Sequence, residues 1–232
     1  MNVVAFRATT DHIPFWAPRS QCPSCHSPLQ LLELIPVFSW LWLRGICRYC
    51  SAPISPLYVV IECITALAAI AMVAFHPPHY WVGLTYVASA LIITIRTDLA
   101  SMVISRYCTL FAIPVIVLLI ACGLLPGTVG GSLAGALLGF GLLRFVAACY
   151  HAYTGEVGMG AGDPELMGCI GAAVGPWGTL ATIAIGSLVG TMLAACWLML
   201  YGGTRKTALP FGAALAAAGL YQLLIANHLA LW

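Results

Sequence analysis

Long apolar segments follow one another from residue 57 to the end of the chain, and they constrain the fold more than any other feature. A helix needs about 20 predominantly apolar residues to cross a bilayer. The sequence therefore predicts an all-α, polytopic membrane helix bundle of about seven spans, at roughly 57–75, 79–95, 107–124, 128–150, 166–185, 187–201 and 208–231. The gap at Gly186 is short, so the two segments on either side of it could also form one re-entrant unit.

Charged residues are too scarce for a soluble domain. They make up 7% of the 232 residues, whereas a soluble domain carries about 25%. The net charge of +2 is also too small for a protein held to nucleic acid by phosphate contacts. Lipid is therefore the expected environment, and we expect no nucleic-acid partner.

The basic residues indicate how the chain is oriented in the membrane. With seven spans, all nine fall on one side, which the positive-inside rule assigns to the cytoplasm. Asp98 and Asp163 fall on the same side, each near the end of an apolar segment, and two spans between them allow them to converge. The basic residues are Arg7, Arg19, Arg44, Arg48, Arg96, Arg106, Arg144, Arg205 and Lys206.

Four cysteines precede the first span as two CxxC pairs, CPSC (22–25) and CRYC (47–50). Two such pairs at this separation are typical of a structural zinc site, with four thiolates around one tetrahedral metal. The alternative is a pair of disulfides or a redox motif, which the reducing cytoplasm disfavours. We therefore predict zinc bound by Cys22, Cys25, Cys47 and Cys50 in a small cytoplasmic segment, residues 1–55, followed by a transmembrane domain, residues 56–232.

Asp98 and Asp163 are candidates for a catalytic pair. Two carboxylates that share a site do not both ionise easily, so one can polarise a peptide carbonyl while the other activates water. The glycines of GMGAGDPEL (158–166) permit positive φ and close backbone approach beside Asp163. The alternatives are that Asp98 balances Arg96 and that Asp163 is a helix N-cap followed by Pro164.

Glu62 lies one turn into the first predicted span. A carboxylate at membrane depth is costly unless it is paired or lies near the interface. Two interpretations follow: Glu62 pairs structurally, with an arginine near Arg96 as one partner, or it neighbours the acid pair.

Several motifs, in order along nearly the whole chain, resemble those of the type IV prepilin peptidases, which are membrane aspartic endopeptidases with a GxGD motif. NVVAFR (2–7), IPVFSWLWLRGICRYC (35–50) and TDL (97–99) are three of them. GMGAGDPEL and ALPFGAALAAAGL (208–220) follow. The resemblance implies a catalytic role for Asp98 and Asp163 and zinc binding by the four cysteines.

The implied activity is removal of the short basic leader of type IV prepilins or type II secretion pseudopilins, after a glycine. The implied location is the cytoplasmic face of the bacterial inner membrane. Many members with the zinc knuckle also methylate the new N-terminus with S-adenosylmethionine. For this chain the methyl donor rests on the resemblance, because no nucleotide-binding loop is visible in the sequence.

Three features depart from the family's pattern. Ser105 and Arg106 stand where the family usually has Pro-Asp, and Glu165 stands where it has lysine. The family also begins with a transmembrane helix ending in GSFxNVV, whereas this chain begins at MNVV. These departures motivate the alternative of a catalytically impaired, zinc-containing membrane scaffold of the same fold.

Overall fold

The computed structural model describes residues 22, 24–35, 37–201 and 210–226. The chain forms two compact units, the first ending at Leu67 and the second beginning at Ala68. Regular structure in the described residues is helical, apart from isolated bridge residues at Pro28 and in the pair Ile46–Pro53. Predictions that involve residues 1–21, 202–209 and 227–232, including the positions of Arg7, Arg19, Arg205 and Lys206, lie outside the described residues.

The first unit contains a 3-10 turn at Leu31–Leu34, the short helix α1 (Phe38–Trp42) and the beginning of helix α2 (Leu57–Phe75). Glu62, in the second turn of α2, accepts a hydrogen bond from the Val37 N–H at 2.7 Å. Val37 immediately precedes α1, where backbone N–H groups have no partner within the helix. Glu62 thus has a structural partner within the first unit, as the pairing interpretation requires, but that partner is a backbone amide.

In its described residues the second unit contains the end of α2, a 3-10 turn at Pro78–Tyr80 and five further helices. The last of them continues as a π-helical turn over Gln222–Ala226. The helices are α3 (Trp81–Ser101), α4 (Ala112–Ala121), α5 (Val129–Thr154), α6 (Gly162–Tyr201) and α7 (Phe211–Tyr221).

Four helical stretches of the described chain are long and apolar enough to cross a membrane. They are Leu57–Phe75, Pro78–Ser101, Val129–Thr154 and Gly162–Met199. Ala112–Ala121 and Phe211–Ala226 are shorter apolar helices. The prediction of an all-helical, multi-pass membrane protein is confirmed.

The predicted separator at Gly186 is wrong, because α6 continues through it. The interruption lies instead at Gly175, whose φ is 68° and ψ is −177°. Pro176 follows, and a proline lacks the N–H donor and disfavours helical geometry in the residue before it. Gly186 serves packing instead, since a Cβ there would lie 2.8 Å from Leu215 Cδ2 on α7.

Glycines also bring α5 and α6 into close contact. A Cβ on Gly135 would overlap the Gly171 carbonyl, and a Cβ on Gly139 would overlap the Met167 carbonyl. Beside them, the Ser132 hydroxyl donates to the Ala172 carbonyl at 2.7 Å. Small residues and hydroxyl groups at such contacts are typical of helix association in lipid, where apolar burial alone gives little driving force.

The core of the second unit is centred on α7, which packs against both α3 and α6. Large side chains with almost no exposure come from all three helices: Leu84, Leu91 and Ile92 from α3, Leu166, Met167 and Ile170 from α6, and Leu215 from α7. This packing fixes the last turn of α3 beside the first turns of α6 and α7.

Candidate active site

The ends of three helices bring Asp98 and Asp163 together. Asp98 lies in the last turn of α3 and Asp163 in the first turn of α6. Both residues are buried, with 5% and 6% of their surface exposed, respectively. A Cβ on Gly212, in the first turn of α7, would lie 3.1 Å from Asp98 Oδ2 and 3.2 Å from Asp163 Oδ1. Both carboxylates therefore face the same backbone position, as the sequence predicted for a convergent pair.

The Asp98 carboxylate is fixed by the backbone of α7. Its Oδ2 accepts a hydrogen bond from the Ala213 N–H at 2.6 Å. Ala213 is the third residue of α7, where the amide has no partner within the helix and the helix dipole favours a negative charge. Asp98 thus serves as a cap for α7 from a distant part of the chain.

The Asp163 carboxylate is fixed by the loop before it. Its Oδ2 accepts from the Gly160 N–H at 3.1 Å, and the Asp163 N–H points back to the Gly160 carbonyl at 3.3 Å. In an N-cap, the side chain accepts from an amide two or three residues further along the chain. The bond to Gly160 runs in the opposite direction and leaves Asp163 Oδ1 facing Gly212.

The glycines of the GMGAGD loop allow neighbouring side chains to come close to the backbone, and their backbone angles are not unusual. None of Gly158, Gly160 and Gly162 has a positive φ, contrary to the expectation from sequence. A Cβ on Gly158 would overlap the Tyr150 ring, and one on Gly160 would lie 3.1 Å from Asp163 Oδ2. Each glycine therefore removes a side chain that would push the loop out of position.

Two residues that depart from the resembled family's pattern lie in contact. Arg106 Nε is 3.4 Å from Glu165 Oε1, and the side chains are 71% and 15% exposed, respectively. Where the resembled family has aspartate and lysine, this chain has an arginine and a glutamate. The two positions therefore carry opposite charges in both cases, with the signs exchanged.

Gly212 and Ala213 belong to the site, although sequence reasoning gave them no role. Gly212 faces both carboxylates, and Ala213 supplies the amide that binds Asp98. The available signal was their place within ALPFGAALAAAGL, one of the segments that carry the resemblance. Only the folded structure brings that segment to the two aspartates.

The four cysteines of the two CxxC pairs form one cluster. Their sulfur atoms all lie within 4.8 Å of one another, and Cys22 Sγ is 3.8 Å from Cys50 Sγ. Four sulfurs placed tetrahedrally about 2.3 Å from a zinc ion would be about 3.8 Å apart. None of the cysteines is in a disulfide. The set therefore fits a tetrahedral metal ion.

The two CxxC turns have the same backbone structure. The His26 N–H donates to the Cys22 carbonyl, and the Ser51 N–H donates to the Cys47 carbonyl, both at 2.9 Å. His26 and Ser51 share a φ of 56°. Each first cysteine also donates its own amide to the carbonyl five residues further on, at 3.0 and 2.8 Å. Two equivalent turns thus present their thiols to one centre.

One thiol of the cluster is biased toward the form that binds metals. Hydrogen bonds with the Ser27 side chain and backbone lower the pKa of the Cys25 thiol to about 6. The pKa of the Cys50 thiol is shifted the other way, to about 12, because a hydrogen bond from the Ala52 backbone is outweighed by burial and by the neighbouring thiols of the cluster. The thiolate is the metal ligand, so Cys25 and not the whole cluster is biased toward it.

Fold and site together define a multi-pass helical membrane protein with a buried pair of carboxylates. Residues 1–76 match the bacterial peptidase A24 N-terminal domain, and residues 85–195 match the type IV leader peptidase family. The chain belongs to the type IV leader peptidase family, and it is therefore a peptidase that acts in prepilin processing.

Relatives named prepilin leader peptidase/N-methyltransferase cover most of the chain. The Aeromonas hydrophila protein is 35% identical over 221 residues, which are 93% of this chain and 74% of the relative. The Pseudomonas aeruginosa protein is 35% identical over 89% of this chain and 71% of its own length. The Bacillus subtilis protein is 31% identical over 94% and 86%. No solved structure matches the chain.

Proposed function

We propose that this chain is a membrane aspartic endopeptidase that removes the short basic leader of type IV prepilins or type II secretion pseudopilins. The observation that carries the proposal is the approach of Asp98 and Asp163 to one backbone position at Gly212. Membership of the type IV leader peptidase family supports the substrate class. The GxGD motif is supplied by Gly160, Gly162 and Asp163.

In this proposal the two aspartates divide the acid and base work. Because two buried carboxylates at one site do not both ionise easily, one keeps a proton and donates a hydrogen bond to the scissile carbonyl. The other accepts a proton from the attacking water, which adds to the carbonyl carbon. The carboxyl that took the proton from water then passes it to the peptide nitrogen as the C–N bond breaks and the carbonyl re-forms, which returns both carboxyls to their starting state.

We place the acid pair at the cytoplasmic face of the bacterial inner membrane. The positive-inside rule supports this placement, since Arg96 and Arg106 flank the end of α3 that carries Asp98. We accordingly assign residues 1–55 to a cytoplasmic segment and residues 56–232 to the transmembrane peptidase domain.

We also propose that Cys22, Cys25, Cys47 and Cys50 bind a structural zinc ion. Their mutual distances and equivalent turns support a tetrahedral four-sulfur site. When bound, zinc would crosslink the two turns, and four protein ligands would leave no position for substrate.

The names of the relatives support a second activity on the same product. We propose that the chain methylates the new N-terminal amine with S-adenosylmethionine. The test is incubation of wild-type enzyme with prepilin and S-adenosylmethionine carrying a labelled methyl group. Label in the mature pilin supports the transfer, and cleaved but unlabelled pilin contradicts it.

The test of the peptidase compares purified wild-type protein with Asp98→Asn and Asp163→Asn variants on a prepilin substrate. Asparagine preserves side-chain shape but cannot exchange a proton in the same way. We expect cleavage by the wild type and none by either variant. A correctly folded wild-type protein that binds prepilin without cleaving it would establish the alternative, a catalytically impaired zinc-containing scaffold.

A further inference from the structure

The connection between α3 and α4, residues 102–111, lies against the acid pair. The side chain of Ile104, in this connection, lies close to the first turn of α6 and to the first turn of α7. A Cβ on Gly162 would lie 2.9 Å from Ile104 Cβ, and a Cβ on Gly212 would lie 2.7 Å from Ile104 Cδ1. Because Gly212 also faces both carboxylates, Ile104 forms an apolar wall beside the place where a scissile peptide would meet the aspartates.

An ion pair joins this connection to the helix that carries Asp163. Arg106 follows Ile104 by two residues, and Glu165 follows Asp163 by two. Their side chains meet at 3.4 Å between Nε and Oε1. Glu165 lies in the first turn of α6, where the helix dipole also favours its negative charge. The pair therefore ties the wall to the acid-bearing turn.

Because Arg106 is exposed, we expect its ion pair with Glu165 to influence the position of the connection between α3 and α4 more than the overall stability of the protein. The Arg106 side chain is 71% exposed. Ion pairs with an exposed partner add little to folding, because water and salt screen them. They can still select one arrangement of a surface connection that has several arrangements of similar energy.

We propose that Arg106 and Glu165 are positioning residues, whose ion pair holds Ile104 against Gly162 and Gly212 and so sets the geometry in which a peptide meets Asp98 and Asp163. This proposal rests on the proposed peptidase function. A reacting carbonyl must be placed within a fraction of an ångström for efficient attack. Loss of the pair should therefore lower kcat more than it raises KM.

The test is a cycle of four proteins: wild type, Arg106→Asp, Glu165→Lys and the double variant. Each single change places like charges at the contact, whereas the double variant restores opposite charges with the signs exchanged. We expect each single variant to lose about tenfold in kcat/KM, mostly in kcat, and the double variant to recover most of it. The double variant also carries the acid and base that the resembled family has at these positions.

Arg144→Asp is the matched control, since it reverses one exposed positive charge on α5, whereas the ion pair of Glu165 is with Arg106. It should cleave close to the wild-type rate, which separates the pair from a general charge effect on a basic leader. Single variants with full kcat/KM, or a double variant no better than the singles, would overturn the positioning role. A wild type without cleavage would instead overturn the proposed peptidase function.

Discussion

Asp98 Oδ2 accepts a hydrogen bond from the Ala213 N–H at 2.6 Å, which joins the last turn of α3 to the first turn of α7. One carboxylate thus has a structural contact in addition to its proposed chemistry. The two roles are separable by substitution, because an amide oxygen still accepts from Ala213 whereas a methyl group does not.

The first prediction uses this difference at Asp98. We expect Asp98→Asn and Asp98→Ala both to lose at least about 100-fold in cleavage rate, because each removes the acid–base group. Only the alanine variant also loses the acceptor for a buried amide, at a cost of about 1–3 kcal/mol. Cleavage of prepilin and the midpoint of thermal unfolding in detergent measure the two effects. Equal stability of the two variants would contradict the structural role.

The second prediction concerns Gly212. A Cβ there would lie 2.7 Å from Ile104 Cδ1. It would also lie 3.1 Å from Asp98 Oδ2 and 3.2 Å from Asp163 Oδ1. We expect Gly212→Ala to displace these groups and lower kcat by about 10- to 100-fold, since small misplacements at a reacting centre are costly. Cleavage kinetics provide the measurement.

The control for Gly212 is Gly141→Ala, on α5. A Cβ on Gly141 meets nothing within 4 Å, so this helical glycine accepts alanine without a clash. Its kinetics should match those of the wild type. If Gly212→Ala also cleaves at the wild-type rate, close approach at Gly212 is not required for catalysis.

The convergence of Asp98 and Asp163 was predictable because it depends on topology alone. The sequence predicts two spans between the two acids, which puts them on the same face. The structure has α4 and α5 there, of which α4 is a short apolar helix. The contact partners were not predictable in this way. Gly212 and the Arg106–Glu165 contact depend on how α6 and α7 pack, and no spacing within one segment encodes that.

Glycine was the least reliable signal in the sequence. Gly186 was interpreted as a break between spans, yet it lies within α6 against Leu215. The break falls at Gly175, before Pro176. A glycine in an apolar helix serves either a bend or close packing, and the sequence alone distinguishes the two only where a proline follows.

The third prediction tests helix packing between α5 and α6. A Cβ on Gly135 would overlap the Gly171 carbonyl, whereas a Cβ on Gly130 meets nothing within 4 Å. We expect Gly135→Ala to destabilise the protein by about 1–3 kcal/mol through overpacking. Gly130→Ala, in the same helix, should be neutral. The midpoints of thermal unfolding in detergent compare them, and equal midpoints would contradict the close contact.

The fourth prediction concerns the metal. Because the four sulfurs lie at distances that fit one tetrahedral ion, we expect about one zinc per chain in protein purified without chelator. Cys22→Ser and Cys47→Ser each remove a buried ligand, one from each turn, and should lose the metal. Cys63→Ser, at an exposed cysteine of α2, is the matched control and should keep it. Elemental analysis by mass spectrometry measures the content. Zinc retained equally in all three variants would show that the cluster is not the binding site, whereas its loss from the first two alone would assign it to the paired turns.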